Sequence, residues 1–216
     1  MLLSKSFFIT GTNTGVGKSV ATALLAKFFK SSGFSVAVYK PIESGCEGSK
    51  SLDMAFVKDL AKVETFNSYC LSKPLSPHLS AKIDGVNINI EVIKEKFKKL
   101  KKSYDIVLIE GAGGVCVPLN YSGYMMANLI KDLNIEAIVV ATTTLGTINH
   151  SILTYEYLKN IGVSVRGFIF NYIEKMDLNV AKDSIDIICK ITGAKSLGHI
   201  EFGAKEFEFN KGLLDG

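Results

Sequence analysis

Residues 11–19, Gly-Thr-Asn-Thr-Gly-Val-Gly-Lys-Ser, have the spacing richest in chemistry in this chain. Glycines let successive backbone N–H groups turn inward onto a polyphosphate. Lys18 can then neutralise its outer phosphates, and the hydroxyl of Ser19 can reach a bound Mg2+. The loop follows the apolar run 7–10 and opens an amphipathic stretch over 18–31, which is the context such a cradle needs. Its spacing is unusual: five residues separate Gly11 from Gly17, one more than the common pattern.

Three further groups could act on the same ligand. Glu110 ends a hydrophobic run, where a carboxylate holds Mg2+ directly or through its water, and Gly111, Ala112, Gly113 and Gly114 behind it permit close backbone approach. Lys40 stands at the start of Lys-Pro-Ile-Glu-Ser-Gly; a lysine at a strand end is either solvated or, in a fold that brings it there, beside the phosphates. Asp53 follows a polar loop and is either a helix cap or a second Mg2+ carboxylate.

The elements that must position these groups are legible as alternation. Apolar runs at 7–10, 36–39, 106–109, 137–141 and 167–171 read as buried parallel strands. The segments 18–31, 53–62, 90–102, 124–133, 149–161 and 178–191 carry apolar residues at three- and four-residue spacing and read as covering helices. Strand alternating with helix implies an open, mostly parallel sheet with helices on both faces, P-loop NTPase-like. Its ligand crevice lies at the carboxyl ends of the strands. The motifs at 11–19, 40–45, 110–114 and 145–150 all follow those strands.

Composition bounds the rest. With 216 residues and 47% hydrophobic content the chain is expected to form one domain over 1–216. No run approaches the roughly 20 residues of a membrane span, so a cytoplasmic protein without membrane attachment is expected. Cys46, Cys70, Cys116 and Cys189 are scattered with no CxxC pair, and reduced thiols without a zinc site are expected. The net charge of +4 owes much to Lys94, Lys96, Lys98, Lys99, Lys101 and Lys102. Without interleaved aromatics, that cluster reads as a solvated helix face rather than a nucleic-acid site.

Taken together, the loop at 11–19, Lys40-Pro41-x-x-Ser44-Gly45, Glu110-Gly-Ala-Gly-Gly114 and Leu145-Gly-x-Ile-Asn-His150 resemble the dethiobiotin synthetase family. Pro77-His78 and Asn171 also fall where that family has similar residues, and the resemblance spans roughly residues 6–200. It implies a ligase that closes the ureido ring of the biotin precursor from CO2, ATP and 7,8-diaminononanoate. Lys40 and Lys18 would be the catalytic cations, and Ser19, Asp53 and Glu110 the Mg2+ ligands. Gly15, Val16, Gly17, Lys18, Ser19 and Val20, with Glu110, Gly111, Ala112 and Gly113, would contact the phosphates, and Asn171 the base. Thr14, Lys40 and Ser44 would face the substrate, as would Gly146, Thr147, Ile148 and Asn149 from the second subunit of a homodimer. Taken alone, the last segment reads equally as the cap of a core helix.

Two departures from the family pattern stand out. Asn13 replaces the usual aspartate, removing an acidic group near the metal, and Leu197-Gly198-His199-Ile200-Glu201 lacks the usual proline in a region expected to meet the base and ribose. Selectivity among ATP, GTP and CTP is therefore open. His78, His150 and His199 have no metal-ligand spacing and are expected to be hydrogen-bonded structural residues. The rival reading is a ParA/MinD-like switch ATPase of the partitioning or cell-division type. Such switches carry an additional lysine early in the loop, and positions 11–16 contain none. A cobyrinate-type or other amide-forming ligase is a more distant alternative.

Overall fold

A computed structural model describes residues 4–175, 177–207 and 209; the ends of the expected 1–216 domain lie outside the described residues. In chain order the elements are β1 (Lys5–Gly11), α1 (Lys18–Ser31), β2 (Val36–Ser44), α2 (Leu52–Ala61), β3 (Glu64–Leu71), α3 (Pro77–Ile83), α4 (Ile90–Ser103), β4 (Ile106–Glu110), α5 (Met126–Leu133), β5 (Glu136–Thr142), α6 (Thr147–Asn160), β6 (Val165–Asn171), α7 (Leu178–Thr192) and β7 (Ser196–Ile200). The strands form one sheet in the order β3-β2-β4-β1-β5-β6-β7, and every neighbouring pair is parallel.

Both faces of the sheet are buried, which is why the central strands are continuous apolar runs. Phe8, Ala137 and Val139 point into a core built with α4, α5, α6 and Ile188 of α7. Their neighbours Phe7, Ile9, Ile138 and Val140 point into the opposite core, with Leu24, Leu25 and Phe29 of α1 and Met54 and Val57 of α2. α4 lays Ile93, Phe97 and Leu100 on the first core. Its lysines stay outside: Lys98, Lys99, Lys101 and Lys102 are exposed, and Lys94 pairs with Glu91.

Several expectations are corrected. β3 and β7, both at sheet edges, are additional strands, and α3 is an additional helix opened by Pro77. β2 does not stop at Tyr39: pairing with β3 continues from Lys40↔Asn67 to Ser44↔Leu71, so Lys40 and Ser44 lie within a strand rather than in a turn. The cysteines are not all thiols. Cys46 and Cys70 form a disulfide, because the β2–β3 register sets Glu43 opposite Cys70 and brings the loop after Ser44 alongside; Cys116 and Cys189 are free. Among the described residues no helix is long and apolar enough to cross a membrane.

Candidate active site

The carboxyl ends of β1, β2 and β4 converge. Ile9 of β1 pairs with Glu110, the last residue of β4, and Tyr39 pairs with Ile109, so Lys40 emerges beside Glu110. Between β1 and α1 the loop takes left-handed turns at Gly15 (φ 78°) and Gly17 (φ 89°), which side chains other than glycine rarely adopt. Gly17 is needed for a second reason: a Cβ there would stand 2.0 Å from Asn171 Nδ2. That amide donates to the Val16 carbonyl at 3.0 Å and ties the end of β6 to the loop. Asn13 turns its Oδ1 onto the Thr14 N–H at 2.8 Å, and its own carbonyl accepts from Lys18 Nζ at 3.1 Å.

The ionisable groups form one cluster. Lys40 Nζ donates to Glu110 Oε1 at 2.9 Å and to Asp53 Oδ2, and Ser19 Oγ donates to the same Glu110 Oε1 at 2.7 Å. Glu110 is 0% exposed and Lys40 4%. Burial alone would lower the Lys40 pKa, but Glu110 and Asp53 together outweigh it and hold the ammonium above its ordinary value. Lys18 behaves oppositely. Burial, reinforced by Lys40, pushes it down to about 8 against the opposing pull of Glu110 and Asp53.

A cavity of about 700 Å³ opens over this cluster. Of the expected residues, Thr14, Gly15, Gly17, Lys18, Ser19, Val20, Lys40, Ser44, Asp53, Glu110, Ala112 and Gly113 line it. Val16 is buried beneath the loop, Gly111 packs against Phe8, and Asn171 sits behind Gly17. Ser44 Oγ is buried without a hydrogen-bond partner among the described residues. The cavity also includes Pro77, which the family resemblance had singled out, and residues not expected from sequence: Pro74, Leu75, Ser76, Val117 and Glu43. Glu43 had a signal, a carboxylate inside an apolar strand, but its meaning depends on contacts with α2.

The segment at α6 stands apart. Gly146 is its N-cap at φ 96°, Thr147 Oγ1 donates inward to the Thr142 carbonyl at 2.6 Å, and Ile148 and Asn149 are exposed. None of the four lines the main cavity. Leu145 beside them is fully exposed, and a smaller hollow of about 310 Å³ separates the phosphate loop from His150 and Tyr157 of α6. Another hollow, of about 510 Å³, lies along β7 between His199, Glu201 and Phe207. Two of the histidines make ring contacts: His78, whose Nδ1 is buried without a hydrogen-bond partner among the described residues, meets Tyr121 edge-on, and His199 stacks on Tyr172.

No group of three or more His, Cys, Asp or Glu side chains forms a metal centre among the described residues. The donors are instead two carboxylates and a hydroxyl, a hard oxygen set suited to Mg2+ with a nucleotide. Glu110 Oε2 is buried without a partner, and Lys40 Nζ already occupies the space between Asp53 and Glu110 as a cation. The residues fit a divalent ion.

A family model described as an AAA domain matches residues 5–205. The chain is 36% identical over 209 residues to a protein of Halalkalibacterium halodurans named ATP-dependent dethiobiotin synthetase BioD, covering 94% of this chain and 86% of that one. It is 45% identical over 170 residues to a protein of the same name from Methanococcus vannielii, covering 77% and 78%. Among solved structures it resembles the signal recognition particle 54 kDa protein of Aeropyrum pernix in complex with GDP (TM-score 0.63, 13% identity, 96% of this chain and 44% of that one). It also resembles the MinC:MinD cell division protein complex of Aquifex aeolicus (TM-score 0.58, 17% identity, 98% and 84%). At such identities the structural likenesses speak only for the fold, a P-loop NTPase-like sheet.

Proposed function

We infer that this chain, which belongs to the ATP-dependent dethiobiotin synthetase family, is a cyclo-ligase forming carbon–nitrogen bonds. It uses ATP to join CO2 to 7,8-diaminononanoate, giving dethiobiotin, ADP and phosphate. The observation that carries the assignment of roles is the convergence of Lys18, Lys40, Asp53, Glu110 and the unpartnered Ser44 hydroxyl in one cavity.

The first step needs a neutral amine, whereas an alkylamine of pKa near 10.4 is almost wholly protonated at pH 7, an uphill start of roughly 4 to 5 kcal/mol. Lys18 and Lys40, where they are not neutralised by Asp53 and Glu110, would pair with the carbamate anion that forms and so favour the uptake of CO2. Lys40 suits this role because its carboxylate partners keep it charged. The carbamate oxygen then attacks the terminal phosphate of ATP to give a carbamic-phosphoric anhydride, with Lys18 neutralising charge on the transferring group. An anionic nucleophile carries no proton to remove, so this step requires no general base. The second amine, in its neutral form and held on the adjacent carbon, attacks the activated carbonyl; the bond from the carbonyl carbon to the phosphate oxygen breaks, and the departing phosphate can take up the proton that the nitrogen loses.

Ser19, Asp53 and Glu110 would hold Mg2+, which when bound supplies further neutralisation of the phosphates. The loop at 15–20 and residues 110–113 would cradle the phosphates, Thr14 and Ser44 would face the diamine, and Asn171, which pairs with Ile200 of β7, would contact the base. The position of Gly146–Asn149 outside the main cavity, with exposed Leu145 and Ile148, supports a homodimer in which each α6 start closes the partner's site. The positive end of the α6 dipole suits the distal carboxylate of the substrate, although the Thr147 N–H already donates to the Thr144 carbonyl. We place the protein in the cytoplasm as a single domain, acting on small molecules without nucleic acid or membrane.

The test supplies diaminononanoate, labelled bicarbonate, ATP and Mg2+ and looks for acid-stable label in a cyclic urea. Lys40→Ala is expected to keep nucleotide binding and lose at least about 100-fold in turnover. ATP consumption only on addition of DNA or lipid, with no labelled urea, would sink the ligase reading, and near-normal turnover of Lys40→Ala would remove Lys40 from the mechanism.

A further inference from the structure

β2 does not alternate regularly. Ala37, Tyr39 and Ile42 share one core while Val36 and Val38 face the other, so the alternation slips by one residue across Pro41. The slip brings Glu43 onto the face that carries Lys40, and both side chains reach α2. Glu43 is 3% exposed, and both of its oxygens are used. Oε1 accepts from the Asp53 N–H at 3.0 Å, and Oε2 accepts from the Ser51 hydroxyl. Ser51 is the N-cap of α2 and accepts in turn from the Met54 N–H at 3.0 Å. A buried carboxylate is unfavourable unless its lone pairs are answered, and here the answering donors are the first turn of the helix that carries Asp53.

Met54 and Val57 bury the inner side of that helix, but they do not aim its exposed first turn. Residues 47–50 leading into it are exposed, and the Asp53 side chain is itself 43% exposed, held at its tip by Lys40. We propose that Glu43 is a positioning residue for the ligase reaction. By gripping the Ser51 hydroxyl and the Asp53 backbone N–H together, it fixes α2 so that the Asp53 carboxylate is presented to Lys40 and to the divalent cation of the nucleotide. This rests on the reading of Asp53 as a metal ligand given above.

The experiment titrates Mn2+ against the full-length chain with ADP, detecting free ion by electron paramagnetic resonance, and follows thermal unfolding without metal or nucleotide. Glu43→Ala is expected to weaken Mn2+ binding about tenfold. Glu43→Gln keeps an acceptor for the Asp53 N–H and lets its amide donate to Ser51 Oγ; it is expected to bind within about threefold of the unaltered chain. A Glu43→Ala protein that melts earlier yet binds Mn2+ normally makes Glu43 merely structural and overturns the inference. Glu43→Gln binding as weakly as Glu43→Ala overturns it too, since charge rather than position would then matter. If Glu43→Ala does not fold, Ser51→Ala removes one of the two grips and is expected to weaken binding about two- to threefold; normal Mn2+ binding by that variant is the refuting result. Asp53→Asn separates the two readings. If it binds Mn2+ like the unaltered chain, the metal-ligand reading fails and takes the inference with it; if it loses the ion while Glu43→Ala does not, only the inference fails.

Discussion

Nucleotide binding is expected to depend on pH between about 7 and 9 if the nucleotide contacts Lys18 as proposed. Burial lowers its pKa from 10.5 to about 8 in the empty site, while Lys40 is held above its ordinary value and stays charged. A triphosphate, fully ionised above pH 7 because its last pKa is near 6, binds the ammonium form. With a pKa of about 8 the charged fraction falls from roughly 0.9 at pH 7 to roughly 0.09 at pH 9, so ATP affinity is expected to fall about tenfold, or about 1.4 kcal/mol. Calorimetric titration in buffers of different ionisation enthalpy should find about one proton taken up per nucleotide bound at pH 9 and almost none at pH 7. The same group acts on stability with the opposite sign. Its folded pKa lies below the unfolded value, so between about 8 and 10.5 the unfolded chain binds the extra proton, and the contribution of Lys18 to stability rises with pH across that window. An ATP affinity that stays flat from pH 7 to pH 9 would refute the placement of Lys18 as a buried, weakened ammonium.

Replacing Cys46 and Cys70 by serine removes a bridge between residues 24 apart in sequence. The expected loss is about 3 kcal/mol, or about 6 to 12 °C in a domain of this size; scanning calorimetry of the double variant at an unchanged midpoint would contradict it. The shared-site dimer is checked by mixing Asp53→Ala with Asn149→Ala after mild dissociation. Each variant alone should be inactive, and the mixture should regain about a quarter of the original activity, because half of the dimers are mixed and each mixed dimer has one intact site; no recovery would place both residues in the same subunit's site.

What could be seen in the sequence follows from how local its cause is. β1, β4 and β5 are buried on both faces, so Phe7–Ile9, Ile106–Ile109 and Ala137–Ala141 announce themselves as apolar runs. β3 is an edge strand whose Thr65, Asn67 and Ser68 are only half-buried, and β7 contains Gly198 and the exposed His199; neither carries a run to detect. The disulfide was hidden for the same reason, since Cys46 and Cys70 become neighbours only once β3 pairs with β2. Lys18 and Ser19 were legible because the loop that aims them is nine residues of continuous chain. The role of Glu43 was not, because it depends on the slip at Pro41 and on the arrival of α2 from outside the motif.

The charges in the site constrain how the nucleotide can enter it. Lys18 and Lys40 face Asp53 and Glu110, and Glu43 adds a third carboxylate to the same cavity. The cluster therefore has no surplus of positive charge to offer a triphosphate. Lys40 is already committed to two carboxylates, and Lys18, whose pKa is pushed down, turns to the Asn13 carbonyl of its own loop. A polyanion added to such a site is favourable only if it arrives with its own cation, which then competes with Lys40 for Asp53 and Glu110. Competition of that kind has a chemical use. If Lys40 has the role proposed for it, a lysine displaced from its carboxylates in this way would be free to pair with the carbamate only when the nucleotide needed to trap that intermediate is present.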